Sequence, residues 1–249
     1  MANTPKPSPI EAFDATLADA HHLVLLADAL TNARSRKMRS ELRDRVGSAF
    51  RVPAKNRGSL DCVESSDAWL VMKPGSRLTR ARFTDHKPLL RQAVVAACAA
   101  GETYIADKVM TRVSALTVSE SAATPRLHKL PMTVGDWLRI EDHYSRRRWG
   151  LHAVIATQIG ELASLAPSQF GALLSLAGVD KWSAAVDRQR GVAKGETEQF
   201  LDRFSKRRNK IAHTGDRQGH GRAPLTVPEV EDDLATLQSV VAALEVILA

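Results

Sequence analysis

The stretch "TVPEVEDDLATLQSVVAALEVILA", residues 226–249, is the most regular pattern in the chain. Apolar residues recur along it at alternating three- and four-residue steps, as in a helix with one apolar seam. Thr226 and Glu229 have the spacing of a capping box and mark the start of the helix. The seam consists of Val227, Val230, Leu234, Leu237, Val241, Leu244 and Leu248. The segment predicts a long final helix whose seam either lies in the core or takes part in a dimer interface.

Helical spacing also dominates the rest of the chain. Apolar positions recur at this spacing in residues 10–46, and again in the alanine-rich stretch "LLRQAVVAACAAGETYIADKV", residues 89–109. Asp85 is a plausible N-cap for that second helix, and Thr133 with Asp136 forms another capping box. Aromatic residues make up only 5% of the chain, whereas Ala, Leu, Arg and Glu are plentiful. Pattern and composition together predict an all-α fold.

The chain divides into three segments by composition. Residues 1–9 contain three prolines and predict a disordered N-terminus. Residues 10–84 hold an N-terminal helix and a long, basic, irregular insertion at 47–84, with a short strand or helix around "AWLVM" at 68–72. Residues 85–249 form the main helical domain, and we expect them to form one compact unit with residues 10–84.

The chain is basic, with a formal net charge of +7 and an isoelectric point near 9.7. Nine Lys or Arg stand against two acids between Arg34 and Arg57, and three arginines follow one another at 146–148. Such charge suits a polyanion such as nucleic acid. These two clusters are an RNA track, a site for an acidic partner, or solubilising charge.

Cysteine and histidine usage gives no indication of a metal or a disulfide framework. Cys62 and Cys98 have no metal-ligand spacing, and neither do the histidines. The longest apolar run, residues 93–101, is far too short to span a bilayer. We therefore expect a cytoplasmic protein that needs no metal, cofactor or membrane.

A second stretch, "KRRNKIAHTGDRQGHG" at residues 206–221, carries the candidate chemistry. Gly215 is a natural stop for its helix. Asn209 and His213 are four residues apart and share a helix face. Arg208 and His213 are five apart and therefore offset by about 140° on a regular helix. A loosened last turn would bring these two side chains to one surface.

These residue types suit cleavage of RNA. The 2′-hydroxyl of RNA is a built-in nucleophile, so cleavage requires a general base, an acid and positive charge near the phosphate. Histidine is the side chain best suited to acid–base work near neutral pH, and arginine offers a fork that matches phosphate oxygens. One histidine cannot easily serve as base and acid together, whereas two copies in a dimer would supply both.

The segment "RRNKIAH" closely resembles the motif of HEPN domains, in its R-N-x-x-A-H form. Arg208 matches the motif arginine, Asn209 the polar residue after it, and His213 the histidine. The alanine-rich helix is similar to an early core helix of RiboL-PSP-type HEPN proteins, which often carries a glutamate where Glu102 stands. The resemblance covers roughly residues 85–249, and the basic region before it has no place on the family core.

The resemblance implies an up-and-down helical bundle that dimerises so that two Arg–His pairs line one cleft. It implies a metal-independent endoribonuclease, acting as a toxin or in phage defence, with Arg208, Asn209 and His213 as catalytic residues. Arg207 and Lys210 would hold RNA, and Glu102 is a candidate supporting residue. RNA, a second copy of the chain and an antitoxin or other regulatory protein are the implied partners.

Other interpretations remain open. The motif is also the pattern of a basic helix end whose histidine interacts favourably with the helix dipole. Arg207 and Lys210 are equally typical of a solvated face, and Glu102 of a polar residue beside Gly101. The alternative function is a non-catalytic HEPN-like module that binds RNA or a protein partner.

Overall fold

The computed structural model describes residues 6–31, 33–75, 85–117 and 122–249. Most of these residues are helical, and the five strands among them have four residues or fewer, so the prediction of an all-α fold is confirmed. Most of the expected disordered N-terminus lies outside the described residues, and the first helix begins at Pro9. In the described ranges, no helix has the length and apolar character needed to cross a lipid bilayer.

Helices of very different lengths succeed one another along the described chain. In chain order they are α1 (Pro9–Thr31), α2 (Ser40–Ala49), α3 (Lys87–Leu116), α4 (Pro125–His128), α5 (Val134–His143), α6 (Arg147–Leu162), α7 (Pro167–Leu176), α8 (Trp182–Arg190), α9 (Glu196–Thr214) and α10 (Val227–Ile247), with a 3₁₀ helix at Ala54–Ser59. The motif residues from Arg208 to His213 therefore lie at the end of α9, and the heptad stretch forms α10.

The chain separates into two compact units. One contains the described residues of Met1–Ala18, Val94–Ala223 and Asp232–Ala249, and the other those of Asp19–Ala93 and Pro224–Glu231. All the residues predicted to carry chemistry belong to the first unit.

The seam of α10 is buried within the chain. All seven of its apolar residues are at most 7% exposed, so the core interpretation of the heptad pattern is confirmed. The capping box is also present, since the backbone N–H of Thr226 donates to Glu229 Oε2 at 2.8 Å and the Glu229 N–H donates to Thr226 Oγ1 at 3.4 Å. The helix therefore starts at the residue that the sequence indicated.

Small residues allow close packing against α3. A Cβ atom on Gly101 would lie 3.1 Å from Leu165 Cδ1 and 3.3 Å from Leu237 Cδ1. Ala93, Ala97 and Ala100 of the same helix are all buried. The alanine-rich stretch thus forms a core helix, and Gly101 brings α10 close to the turn of α3 that carries Glu102.

The irregular insertion at 47–84 contains more regular structure than expected, because two of its segments form a sheet with residues 34–36, which precede it. Strands β1 (Arg34–Arg36), β2 (Asp61–Glu64) and β3 (Trp69–Met72) form an antiparallel sheet in that order. Of the short strand or helix expected around "AWLVM", the structure has the strand, β3. The sheet as a whole gave no sequence signal because its strands are so short, and because the neighbouring residues Cys62 and Val63 are both buried rather than alternating. Residues 76–84 of the insertion lie outside the described ranges.

Part of the basic Arg34–Arg57 cluster has a structural role. The Arg57 side chain packs over Gly47 of α2, and its Nε donates to the Val52 carbonyl at 3.1 Å. This arginine holds the 3₁₀ helix against the end of α2.

A partly buried polar cluster joins α3 to α10. The Tyr104 hydroxyl donates to Glu245 Oε1 at 2.7 Å, and Lys108 Nζ donates to Glu245 Oε2 at 2.8 Å. Burial raises the pKa of Glu245, but the hydrogen bonds from Lys108 and Tyr104 outweigh burial and hold its pKa below the ordinary value. Burial of the Tyr104 side chain, together with its hydrogen bond to Glu245, raises the pKa of the Tyr104 hydroxyl. The hydroxyl therefore keeps its proton and donates the hydrogen bond.

The free energy of unfolding should therefore decrease at acidic pH, and protonation of Glu245 should account for part of the decrease. Because the folded-state pKa lies below the unfolded one, the contribution of this carboxylate is complete above the unfolded pKa and is lost as the pH falls through the folded one. We expect the stability gap between wild type and Glu245→Gln to be large at neutral pH and to shrink below about pH 4.5. Urea midpoints measured across this range test it, and a constant gap would contradict it.

Candidate active site

The motif helix is anchored at its N-terminus by a residue of the preceding helix. Asp187 of α8 is 3% exposed and accepts the backbone N–H groups of Gly195 at 2.6 Å and Thr197 at 3.0 Å. Burial raises the pKa of Asp187, but its hydrogen bonds to Thr197 and Gly195 prevail and leave that pKa below the ordinary value. A charged carboxylate thus satisfies two of the free N–H groups at the start of α9 and favours its dipole.

The C-terminus of the motif helix is regular up to Thr214. The N–H of Gly215 donates to the Ile211 carbonyl at 3.1 Å, and the N–H of Asp216 donates to the Lys210 carbonyl at 3.0 Å. Gly215 has φ of 61°, the left-handed conformation expected of a helix stop. The last turn is therefore not loosened ahead of His213, and Arg208 and His213 keep the offset of about 140° of a regular helix.

Arg208 faces α3 and is paired there. Its guanidinium donates to Glu102, and the two side chains are 26% and 18% exposed. Burial lowers the pKa of Arg208, but Glu102, together with the contact to Cys98, raises it above the ordinary value. The structure thus brings together two of the predicted site residues, Arg208 and Glu102, that lie 106 positions apart.

Cys98 completes this contact on α3. Burial raises the pKa of its thiol to about 12, Glu102 adds to the rise, and Arg208 opposes it. The thiol is therefore uncharged near neutral pH and lacks the thiolate character of a reactive cysteine. Cys98 packs beside the ion pair as a small, neutral group.

His213, Asn209 and Lys210 lie at the surface of α9. All three are exposed, and within the described part of the chain the His213 ring makes no hydrogen bond. A single chain therefore does not join His213 to Arg208. The imidazole is accessible from solvent, at the helix end where the sequence placed it.

Arg207 has a partner inside the chain. Its guanidinium donates to Asp216 Oδ2 at 2.8 Å, and Asp216 is 1% exposed. Asp216 has φ of 63°, which is unusual for a residue other than glycine. The ion pair holds the backbone in this conformation where the chain leaves α9.

A short hairpin follows directly, and the sequence did not reveal it. Strands β4 (Arg217–Gln218) and β5 (Gly221–Arg222) pair with Arg217 opposite Arg222. His213, Thr214, Gly215, Arg217 and Arg222 line one open depression at the end of α9. The two hairpin arginines thus join His213 in a basic surface feature. The signal that would have found them is the Gly-containing two-residue turn inside "RQGHGR".

The arginine run at 146–148 is engaged with exposed aromatic rings. The Arg146 guanidinium lies 5.1 Å from the ring centre of Trp149, and that of Arg147 lies 5.7 Å from the ring centre of Trp137. Arg147 also pairs with Glu141 at 2.8 Å. These contacts partly account for the run as local structure on α5 and α6.

Comparisons with protein-family models, with curated proteins and with solved structures each gave no match to the chain. Among the described residues, no three His, Cys, Asp or Glu side chains cluster as a metal site would require.

Proposed function

We propose that the protein is a metal-independent endoribonuclease of the HEPN type that works as a homodimer. The observation that carries the proposal is the exposed His213 imidazole at the end of α9, in a depression that also contains two arginines. An accessible imidazole beside permanent positive charge is what cleavage of a phosphodiester requires. The resemblance of Arg208, Asn209 and His213 to the HEPN motif supports the same function.

The reaction would use the substrate's own 2′-hydroxyl. His213 of one copy takes the 2′-hydroxyl proton while the 2′-oxygen forms a bond to phosphorus. The bond from phosphorus to the 5′-oxygen then breaks, and His213 of the second copy gives a proton to that leaving oxygen. The products are a 2′,3′-cyclic phosphate and a 5′-hydroxyl, so no metal or external nucleophile enters the step.

The remaining motif residues take supporting roles in this proposal. Arg208, paired with Glu102, fixes the distance between α9 and α3 and so positions the motif helix. Asn209 and Lys210 are exposed and would contact the RNA backbone. Arg207 would act chiefly through Asp216, by holding the hairpin next to His213.

The biological setting proposed is that of a toxin or a phage-defence effector acting on cytoplasmic RNA. A basic protein that cuts cellular RNA needs control, and an acidic antitoxin-like protein is the partner that its charge suits. Such a partner would compete with RNA for the depression at the end of α9.

The proposal is tested by incubating the purified protein with total cellular RNA in excess EDTA. We expect cuts that persist in EDTA and that leave 2′,3′-cyclic phosphate ends, which sequencing after cyclic-phosphate-dependent ligation maps. Cleavage that stops in EDTA and returns with Mg²⁺ would contradict the metal-independent mechanism. A protein that cuts no cellular RNA and is harmless when overexpressed would contradict the ribonuclease itself.

A non-catalytic module that binds RNA or a protein is the alternative, and one observation favours it. In the described residues the His213 ring has no hydrogen-bond partner to set its tautomer, while Arg208 is already paired with Glu102. In that case RNA binding should depend steeply on salt and change little in His213→Ala. Undiminished binding without any cleavage would select this alternative.

A further inference from the structure

The hairpin after the motif helix places two arginines side by side. The pair Asp216 and Ala223 is hydrogen-bonded, with the Ala223 N–H donating to the Asp216 carbonyl at 2.8 Å. Because hydrogen-bonded and non-hydrogen-bonded pairs alternate along an antiparallel ladder, the next pair, Arg217 and Arg222, is of the non-hydrogen-bonded kind. In such pairs the side chains project from the same face at the closest separation that a sheet allows.

The hairpin is firmly attached to the end of α9. The Arg207–Asp216 ion pair and the helix-ending hydrogen bond from Asp216 to Lys210 fix Asp216, the residue directly before β4. Gly219 has φ of 56°, which suits the first position of a tight two-residue turn. The positions of Arg217 and Arg222 relative to His213 are therefore set by the backbone before any ligand binds.

Two like charges facing each other destabilise a hairpin unless something compensates them. In the part of the chain that the structure describes, neither Arg217 nor Arg222 forms an ion pair with a carboxylate. Both are exposed and line the depression with His213. An anion held between the two guanidinium groups would relieve the repulsion and would lie next to the imidazole.

We propose that Arg217 and Arg222 form a phosphate-binding site for the RNA backbone beside His213. They supply there the positive charge that Arg208, offset around α9 and paired with Glu102, does not bring to the His213 face. Arginine forks match phosphate oxygens, and exposed arginines bind single-stranded RNA without reading its bases. This inference rests on the proposed ribonuclease function and names the residues that hold its substrate.

A first experiment uses inorganic phosphate as the probe. In protein carrying isotope-labelled histidine, the ring resonances of His213 should move on addition of phosphate, while those of His143 at the end of α5 should not. The shift should disappear in the double variant Arg217→Ala/Arg222→Ala and persist in Lys181→Ala/Arg188→Ala, which removes two exposed charges at the start of α8 and within it. Equal shifts in both variants, or none in the wild type, would overturn the site.

A second experiment measures binding of a single-stranded 2′-O-methyl oligonucleotide, which cannot be cleaved. Each lost phosphate contact should reduce the magnitude of the slope of log K against log salt by about 0.7. In Arg217→Ala/Arg222→Ala the slope should therefore be smaller by roughly 1.4, and the affinity of the variant for the oligonucleotide at low salt should be about ten-fold weaker. Arg217→Lys/Arg222→Lys keeps the charge and should retain most of the slope. An unchanged slope in the alanine variant, with melting temperature preserved, would contradict the proposal.

The two proposals fail separately. If the wild type binds phosphate at His213 but cuts no RNA, the ribonuclease is wrong and the anion site remains. If RNA is cut with equal rate and equal substrate affinity in Arg217→Ala/Arg222→Ala, the ribonuclease remains and the anion site is wrong.

Discussion

Replacing His213 by alanine is expected to reduce RNA cleavage by about 10²–10⁴-fold, the usual contribution of a positioned general acid or base. The melting temperature should change as little as in a neutral surface substitution, because the ring is exposed and makes no hydrogen bond in the described chain. Rates of cleavage of a mapped RNA site, with thermal melts of both proteins, measure the two effects. The wild-type pH–rate profile should be bell-shaped and the residual activity of the variant should lack that shape.

His220 provides the matched control. It is an exposed histidine in the turn of the adjacent hairpin and does not line the depression, so His220→Ala should keep wild-type activity. A comparable loss in both variants would mean that His213 has no special role.

The dimer can be tested with the same His213 variant. We mix wild-type and His213→Ala subunits and allow them to exchange. If the site needs two histidines, the activity should be proportional to the square of the wild-type fraction. A linear decrease would instead show that one histidine is sufficient, and would contradict the composite site.

The parts of the fold that the sequence predicts are those determined locally. The heptad seam of α10, its capping box and the helix stop at Gly215 each depend on residues within a few positions of one another. The three-stranded sheet was missed because β1 and β2 are short and far apart in the chain, so no window of sequence contains their pairing.

The candidate site, like the fold, has features that follow from local sequence and features that depend on long-range packing. The sequence identified His213 as a candidate near a helix end, since this follows from the motif and from Gly215. It did not indicate that Glu102 is the partner of Arg208, because a contact over 106 positions depends on how α3 and α9 pack. The hairpin arginines were missed because strands of two residues have no periodicity.

Removal of Glu102 is expected to produce the largest loss of stability among the site residues. Glu102→Ala leaves the partly buried Arg208 guanidinium without its carboxylate, beside the neutral Cys98 thiol. Loss of a hydrogen bond to a charged group in such surroundings costs about 2 kcal/mol. For a chain of this length, that corresponds to a decrease in melting temperature of about 4–8 °C. Thermal and urea unfolding of purified Glu102→Ala measure the effect.

An exposed ion pair on the same motif helix provides the comparison. Lys206 pairs with Asp202 at 2.7 Å, with side chains 69% and 47% exposed, so Asp202→Ala should cost less than about 0.5 kcal/mol. The double variant Glu102→Ala/Arg208→Ala should be more stable than the sum of its single changes indicates, because each single change leaves the other charge unpaired. Strict additivity, or equal losses in Glu102→Ala and Asp202→Ala, would show that the pair does not join α9 to α3. If Arg208→Ala lowers stability yet leaves the cleavage rate per folded molecule unchanged, Arg208 acts through the fold and not at the reacting phosphate.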